Sequence, residues 1–239
     1  MYRRKFELKW LVLLVAFCLA DKTIGQEQPK KDLIIKSKEP LDPNRYQEFR
    51  GNAYLFEDWA KANIYSNDGY VFEDVITNYN ALENEVEIKF DDQIQTLDKR
   101  HYSRIEVLNT KNPENIHSEV GDKTILQRGI HPDQFLGYFV LLYNSPTVTL
   151  LKSKEVRKEV RTINDYGKNI DINFLVETLK YYLIVDGASN LVRLKKSSLI
   201  DQLDNQSELE KFVKKNKLKI KNEETAIQLL EYYTSLKGS

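Results

Sequence analysis

The hydrophobic pattern of this chain changes period once, and that change sets the expected architecture. From Gly51 to about Leu194 the chain reads as strands, some alternating apolar and polar residues, the period of a strand with one buried face, and some running as short continuous apolar stretches. Glu85-Val86-Glu87-Ile88-Lys89-Phe90 is the cleanest case. It predicts Val86, Ile88 and Phe90 in the core and Glu85, Glu87 and Lys89 in water. Asn63–Ser66 and Tyr70–Phe72 flank Asn67-Asp68-Gly69, whose Asp-Gly pair suits a tight hairpin because both residues tolerate positive φ. Val75–Tyr79 leads through a polar turn at Leu82–Asn84 into the 85–90 strand. Further strands are expected at Ile94–Leu97, Tyr102–Leu108, Val120–Leu126 and Phe135–Tyr143, the last turned by Asn144-Ser145-Pro146 into Val148–Leu151. Asn173–Val185 and Asn190–Leu194 read as another hairpin, closed through Asp186-Gly187. Lys152–Arg161 places Val156 and Val160 four apart among charges, and fits either a short helix or a solvated strand.

After residue 196 the period becomes helical. Ser197 or Ser198 is placed to cap a short helix carrying Leu199, Ile200 and Leu203. Ser207 and Glu210 have the spacing of a capping box, ahead of Leu209, Phe212, Val213 and Asn216 at i, i+3, i+4, i+7. Asn222 caps a last helix with Glu223 and Glu224 in its first turn and a stripe of Ala226, Ile227, Leu230 and Tyr233. Isolated helices below about 12–15 residues are marginal in water, so these are expected to dock, and the short linker at Lys195–Ser198 favours the same chain. The predicted class is α+β: an antiparallel β-rich N-terminal region with a C-terminal segment of two to three short helices.

The first 50 residues follow neither period. Arg3, Arg4, Lys5 and Lys9 precede an uncharged run, Trp10–Ala20, which is too short to span a bilayer and matches a signal peptide's apolar core. Small residues at Thr23 and Gly25 suit cleavage after Gly25, giving a signal peptide over 1–25. Cys18 offers an acylated lipoprotein terminus instead, but the bulky Phe17 precedes it. Residues 26–50, rich in Gln, Lys and Pro, read as a flexible leader, 51–196 as the β-rich domain and 197–239 as the docked helical segment.

Composition narrows the chemistry. Lys and Arg number 36 against 36 Asp and Glu, which speaks against a nucleic-acid-binding face. Without residues 1–25 the chain holds neither cysteine nor methionine, so disulfides, thiol catalysis and zinc–thiolate sites drop out. No G-x-G-x-x-G or Gly-Lys-Ser/Thr loop occurs. Gly187-Ala188-Ser189-Asn190-Leu191 lacks the second glycine of a nucleophile elbow and reads as turn residues. His101, His117 and His131 lack metal-ligand spacing, and His131-Pro132-Asp133 reads as a turn. The pairs Glu57-Asp58, Glu73-Asp74 and Asp91-Asp92 read as solvated turn charges, because neighbours on a strand point to opposite faces. No catalytic residue, metal or cofactor is expected. Fourteen tyrosines and ten phenylalanines are the unusual feature. Tyr54, Trp59, Tyr65, Tyr70 and Tyr79 fall close together and form the candidate binding cluster, since exposed Tyr and Trp suit interfaces and sugar or peptide recognition.

Two stretches resemble a group of uncharacterised exported proteins of Bacteroidota. One is Gly51-Asn52-Ala53-Tyr54-Leu55-Phe56-Glu57-Asp58-Trp59 with Asn67-Asp68-Gly69 and Asn78-Tyr79-Asn80. The other is Tyr181-Tyr182-Leu183-Ile184-Val185 through Leu194-Lys195-Lys196, with Leu229-Leu230-Glu231-Tyr232-Tyr233. The resemblance covers about a third of the chain and implies a bacterial envelope address without an assigned activity. The expectation is therefore an exported, periplasmic or envelope protein that binds an envelope protein, peptide or glycan, with no transmembrane helix in the mature chain. The alternatives are a hydrolase using carboxylate and His residues, or a structural subunit of an envelope complex.

Overall fold

The computed structural model describes residues 32–37, 39–90, 92–108 and 123–238. The expected signal peptide, the start of the leader, Asp91 and His117 lie outside the described residues. Eleven strands are described. They are β1 (Phe49–Arg50), β2 (Ala60–Ser66), β3 (Val71–Asn80), β4 (Glu85–Phe90), β5 (Gln93–Thr96), β6 (Tyr102–Leu108), β7 (Lys123–Arg128), β8 (Tyr138–Asn144), β9 (Val148–Asp165), β10 (Lys168–Val185) and β11 (Ala188–Val192). Three helices follow, α1 (Lys196–Ile200), α2 (Gln206–Lys215) and α3 (Glu223–Lys237).

All strands belong to one sheet, ordered β1-β10-β9-β8-β7-β6-β2-β3-β4-β5, with β11 beside the C-terminal half of β10. Two meanders, β2 to β5 and β6 to β11, join where β2 pairs with β6. The sheet is antiparallel apart from one pair: β1 runs parallel to β10, with Phe49 opposite Asn173 and Arg50 opposite Phe174. The expected antiparallel region is thus mostly antiparallel, with this one parallel pair. β3 is a single strand through Glu73-Asp74, kinked where its register against β2 shifts and Asp74 takes a φ of 56°.

The segment before β2 is a strap across this sheet. At one end the Ile34 carbonyl accepts from the Asp98 N–H, and Lys36 and Leu41 donate to the Thr96 and Ile94 carbonyls of β5. At the other end β1 pairs with β10, and Tyr54 bridges to Asn80 at the end of β3. β5 and β10 stand at opposite ends of the strand order, so one stretch of chain is hydrogen-bonded to both. Leu33, Ile34, Ile35, Tyr46 and Phe49 pack against the main core. The expected flexible leader thus meets, from Leu33 onward, a hydrogen-bonded segment. Gly51 makes the crossing possible. Its φ is 116°, and a Cβ there would stand 2.4 Å from the Leu175 carbonyl oxygen.

The main core lies on one face of the sheet, where Ile64, Ile105, Val107, Val140, Leu150 and Leu183 meet Leu199, Leu209, Ala226, Leu229, Leu230 and Tyr233 of the helical segment. Lys152 of β9, almost wholly buried, forms a 2.9 Å ion pair with Glu223 in the first turn of α3. Tyr143 donates to Thr234 at 2.9 Å farther along the same helix. A second, smaller cluster of Phe139, Leu151 and Tyr182 occupies the opposite face.

One open alternative is resolved and three local expectations are corrected. Lys152–Arg161 is strand, part of β9. Glu85 and Glu87 are buried while Phe90 is 67 % exposed, because the strap covers the charged face of β4 and the apolar residue lies at the strand's open end. The Ser207–Glu210 capping box does not form: Ser207 is already inside α2, and Asn205 precedes it in the left-handed region with no side-chain cap. Ser198 lies inside α1 and accepts instead from the Arg193 N–H ahead of the helix, and Lys195 stands at the N-cap of α1. The capping box belongs to α3, between Asn222 and Thr225.

Candidate functional site

The densest polar cluster forms where the strap crosses β3 and β4. Asp42 accepts from the Asn44 N–H at 2.8 Å and shapes the turn that delivers Arg45 and Tyr46. One guanidinium nitrogen of Arg45 lies 2.6 Å from both carboxylate oxygens of Glu87 and 2.7 Å from the Tyr54 hydroxyl. Tyr54 donates to Glu87 at 3.0 Å, and the Asn80 amide donates to Glu87 at 2.7 Å and to the Tyr46 hydroxyl at 2.9 Å. Glu87 is 1 % exposed, so its charge is tolerable only with this many donors. Burial, and then the Glu87 charge, raise the Tyr54 hydroxyl well above the ordinary tyrosine range, so it remains a donor.

Aromatic rings sit over this network. Tyr46 packs edge-on against Tyr54 with centroids 6.3 Å apart, and Trp59 lies tilted 6.1 Å from Tyr54. The Arg45 guanidinium stands 4.9 Å from the Tyr46 ring centroid. Tyr46, Tyr54 and Trp59 are each half-buried, and Tyr46 and Tyr54 also pack against the main core. The loop that carries Trp59 is held by the buried Asn78, whose amide donates to the Phe56 and Asp58 carbonyls and accepts from the Phe56 N–H.

Of the five tyrosine and tryptophan candidates, the structure brings together Tyr54 and Trp59. Tyr65 lies elsewhere on β2, beneath the Arg104 guanidinium at 6.0 Å, its hydroxyl raised by burial and by Glu106. Tyr70 closes the turn after β2, where its carbonyl accepts from Ser66. Tyr79 is a core residue, edge-on to Tyr138 and donating to Asn84 at 2.9 Å. Sequence reasoning missed Arg45, Tyr46, Asn80 and Glu87. Strand alternation put Glu87 in water, and no local pattern reports that a segment forty residues earlier will cover it.

A second constellation has the look of catalysis. His131 and Ser189, 58 residues apart, meet at 2.9 Å between Nε2 and Oγ. The imidazole is buried, stacked on Phe139 at 5.1 Å and edge-on to Tyr182 at 4.8 Å. Its Nδ1 accepts from the Asp133 N–H at 3.2 Å. A neutral imidazole that accepts at Nδ1 carries its proton on Nε2. That proton points at Ser189, so His131 donates to the hydroxyl it would have to deprotonate as a general base. The pair fastens the 129–137 loop over the smaller apolar cluster.

The remaining ionisable groups are dispersed. Glu85 pairs with Lys36 at 2.8 Å and approaches Lys99 at 3.7 Å, with its Oε2 buried and unpartnered among the described residues. The Arg100 guanidinium holds the Asp98 carboxyl down at about 2, and His101 stands 3.9 Å from the same carboxylate. His101 and His131 therefore serve separate clusters, and no group of three metal-ligating side chains converges among the described residues. No described helix is long and apolar enough to cross a membrane, which says nothing of strands. Compared with protein-family models, with curated proteins and with solved structures, the chain finds no match.

Proposed function

We propose that this is an exported envelope protein that acts by binding, and that Tyr46, Tyr54 and Trp59 form its recognition surface for a glycan or peptide. The observation that carries the reading is the closed network beneath those rings. Arg45, Glu87, Asn80 and the Tyr54 hydroxyl satisfy one another, so the aromatic surface rests on a fixed polar base and loses little conformational freedom on binding. Saccharides and extended peptides both offer apolar faces to aromatic rings and polar edges to their surroundings. The proton placement on His131 supports this reading over the hydrolase alternative. Export rests on the basic N-terminus and the short apolar run of Trp10–Ala20.

Soluble oligosaccharides and extended peptides titrated against the protein, with calorimetry and tryptophan fluorescence as readouts, test the binding surface. Trp59→Ala and Tyr46→Ala should each weaken a found ligand about tenfold or more, as loss of a central aromatic contact does. Tyr65→Ala should leave it unchanged. Equal affinity in all three variants would move the site elsewhere. N-terminal sequencing of the native protein tests the address: Gln26 at the terminus supports export, an intact Met1 contradicts it, and an acylated Cys18 establishes the lipoprotein form.

A further inference from the structure

β9 and β10 are 18 residues each, far longer than the strands they leave behind. β8 pairs with β9 only as far as Lys152, and among the described residues no other strand pairs with the outer edge of β9 beyond that point. On the far side of β10, β1 covers only Asn173 and Phe174, and β11 begins at Tyr181. From Arg161 and Ile172 to the turn at Tyr166-Gly167 the hairpin is therefore two-stranded, and its β9 edge is open from Ser153 onward among the described residues. It carries exposed apolar residues: Val160 (62 %), the cross-strand pair Ile163 and Ile170, and the fully exposed Tyr166. A two-stranded ribbon is marginal in water by itself, and a third strand is the ordinary remedy.

We propose that the outer edge of β9 pairs antiparallel with the same edge of a second copy, centred on Val160. The direction of the free backbone groups agrees. A two-residue turn closes on a hydrogen-bonded pair, here Asp165 with Lys168, and alternation along the ladder makes Val160 and Asn173 a non-hydrogen-bonded pair. The Val160 N–H and C=O then point away from β10, toward the open edge.

Charge selects the register. With Val160 facing Val160 of the second copy, Glu159 faces Arg161 twice, Lys158 faces Thr162 and Arg157 faces Ile163. The only like charges that meet are Glu155 and Asp165 at the two ends of the paired stretch, where Glu155 is already paired with Lys180 at 2.6 Å. Centring on Lys158, Glu159 or Arg161 sets that residue against its own charge, and centring on Thr162 sets Glu159 against Asp165. Charges on an edge strand commonly deter pairing. Here they favour the Val160 register, the one among these that sets Glu159 against Arg161 and no charge against itself. Glu159 is held at present by Arg157 at 3.0 Å and Arg161 at 2.7 Å on its own strand, so both partners are already aligned along the edge.

Sedimentation velocity of the purified protein from low to high micromolar concentration reads the pairing, with circular dichroism confirming the fold of each variant. The wild type should form dimers. Arg161→Glu and Glu159→Arg should each raise the dissociation constant about tenfold or more, and the swap Glu159→Arg/Arg161→Glu should return it near the wild-type value. Disulfide trapping supplies a second readout, with Cys18→Ser as background. Val160→Cys should cross-link to itself, because facing Cα atoms in such a pair lie about 5.5 Å apart. Lys158→Cys, which faces Thr162, should not. A wild type that stays monomeric at high micromolar concentration overturns the proposal. So does a dimer indifferent to Arg161→Glu, or cross-linking at Lys158→Cys equal to that at Val160→Cys.

Discussion

Arg45 and Glu87, 42 positions apart, lie 2.6 Å from each other, and their contact fastens the strap to the middle of the β3–β4 hairpin. Glu87 is nearly inaccessible while Arg45 keeps a narrow opening to solvent, so the pair depends on its geometry rather than on screening. Removing Arg45 leaves a buried carboxylate with only Tyr54 and Asn80 as donors. Arg45→Met should therefore cost about 3–5 kcal/mol in chemical denaturation, the range for breaking a buried pair. The double variant Arg45→Met/Glu87→Leu should recover most of that loss, because it removes the stranded charge along with its partner. If both variants are equally unstable, the strap is held by its packing and backbone bonds and the ion pair is incidental.

The strap's crossing onto β10 depends on Gly51. An alanine there must accept a φ near 116° and a Cβ 2.4 Å from the Leu175 oxygen, a distance that backbone atoms cannot relax cheaply. Gly51→Ala should destabilise by more than about 1 kcal/mol, where a glycine with ordinary φ would gain slightly from the same change. Hydrogen exchange should show the loss concentrated at Phe49, Arg50 and their partners Asn173 and Phe174. Uniform loss across the sheet would instead mean that β1 opens only with the whole fold.

His131 gives stability a pH dependence whose sign is fixed by its burial. Burial disfavours the charged imidazole and lowers its pKa below the ordinary value of about 6.5, with Asp133 opposing the shift. The unfolded chain then binds a proton before the folded one does. Stability contributed by neutral His131 is present above about pH 6.5 and falls as the pH drops below it. Urea midpoints should decline from neutral pH toward about pH 5, and His131→Phe, which keeps a ring against Phe139 and Tyr182, should flatten that limb. In NMR titration, His131 should protonate at lower pH than the exposed imidazole of a model peptide. Identical pH profiles for variant and wild type would remove His131 as the source.

How much of this was readable from the residues varies by kind of contact. Val86 and Ile88 face the core as alternation requires, because their neighbours belong to the same hairpin. Asn222 caps α3 because a cap involves residues three apart. The burial of Glu87 and the meeting of His131 with Ser189 were not readable, since each joins segments more than forty residues apart and neither leaves a local period. The helix-or-strand ambiguity of Lys152–Arg161 has the same origin. Val156 and Val160 fit a helical spacing, and what makes them strand is eighteen residues of pairing with β10. The aromatic candidates divided similarly. Tyr54 and Trp59 meet because the Gly51–Trp59 loop is short, while Tyr79 was drawn into the core by Tyr138 from a distant strand.

The C-terminal helices permit the sharpest test of how this fold is held together. Leu209 is fully buried, whereas Phe212, one turn on, is only half-buried and lies parallel to Tyr232 of α3 with centroids 4.0 Å apart. The two residues should therefore respond differently. Leu209→Ala opens a cavity in the main core and should cost about 2–5 kcal/mol. Phe212→Ala mainly removes a ring contact between α2 and α3. Its coupling to Tyr232→Ala in a double-mutant cycle should be about 0.5–1.5 kcal/mol, the value of an aromatic pair beyond its buried area. Ending the chain at Leu194 removes every helical partner of Leu150 and Leu183, and the buried Lys152 loses Glu223. That truncation should aggregate or melt far below the full chain in a thermal scan. A truncated sheet that stays soluble and melts at the same temperature would show that its core is complete without the helices, leaving their apolar stripes to serve a partner.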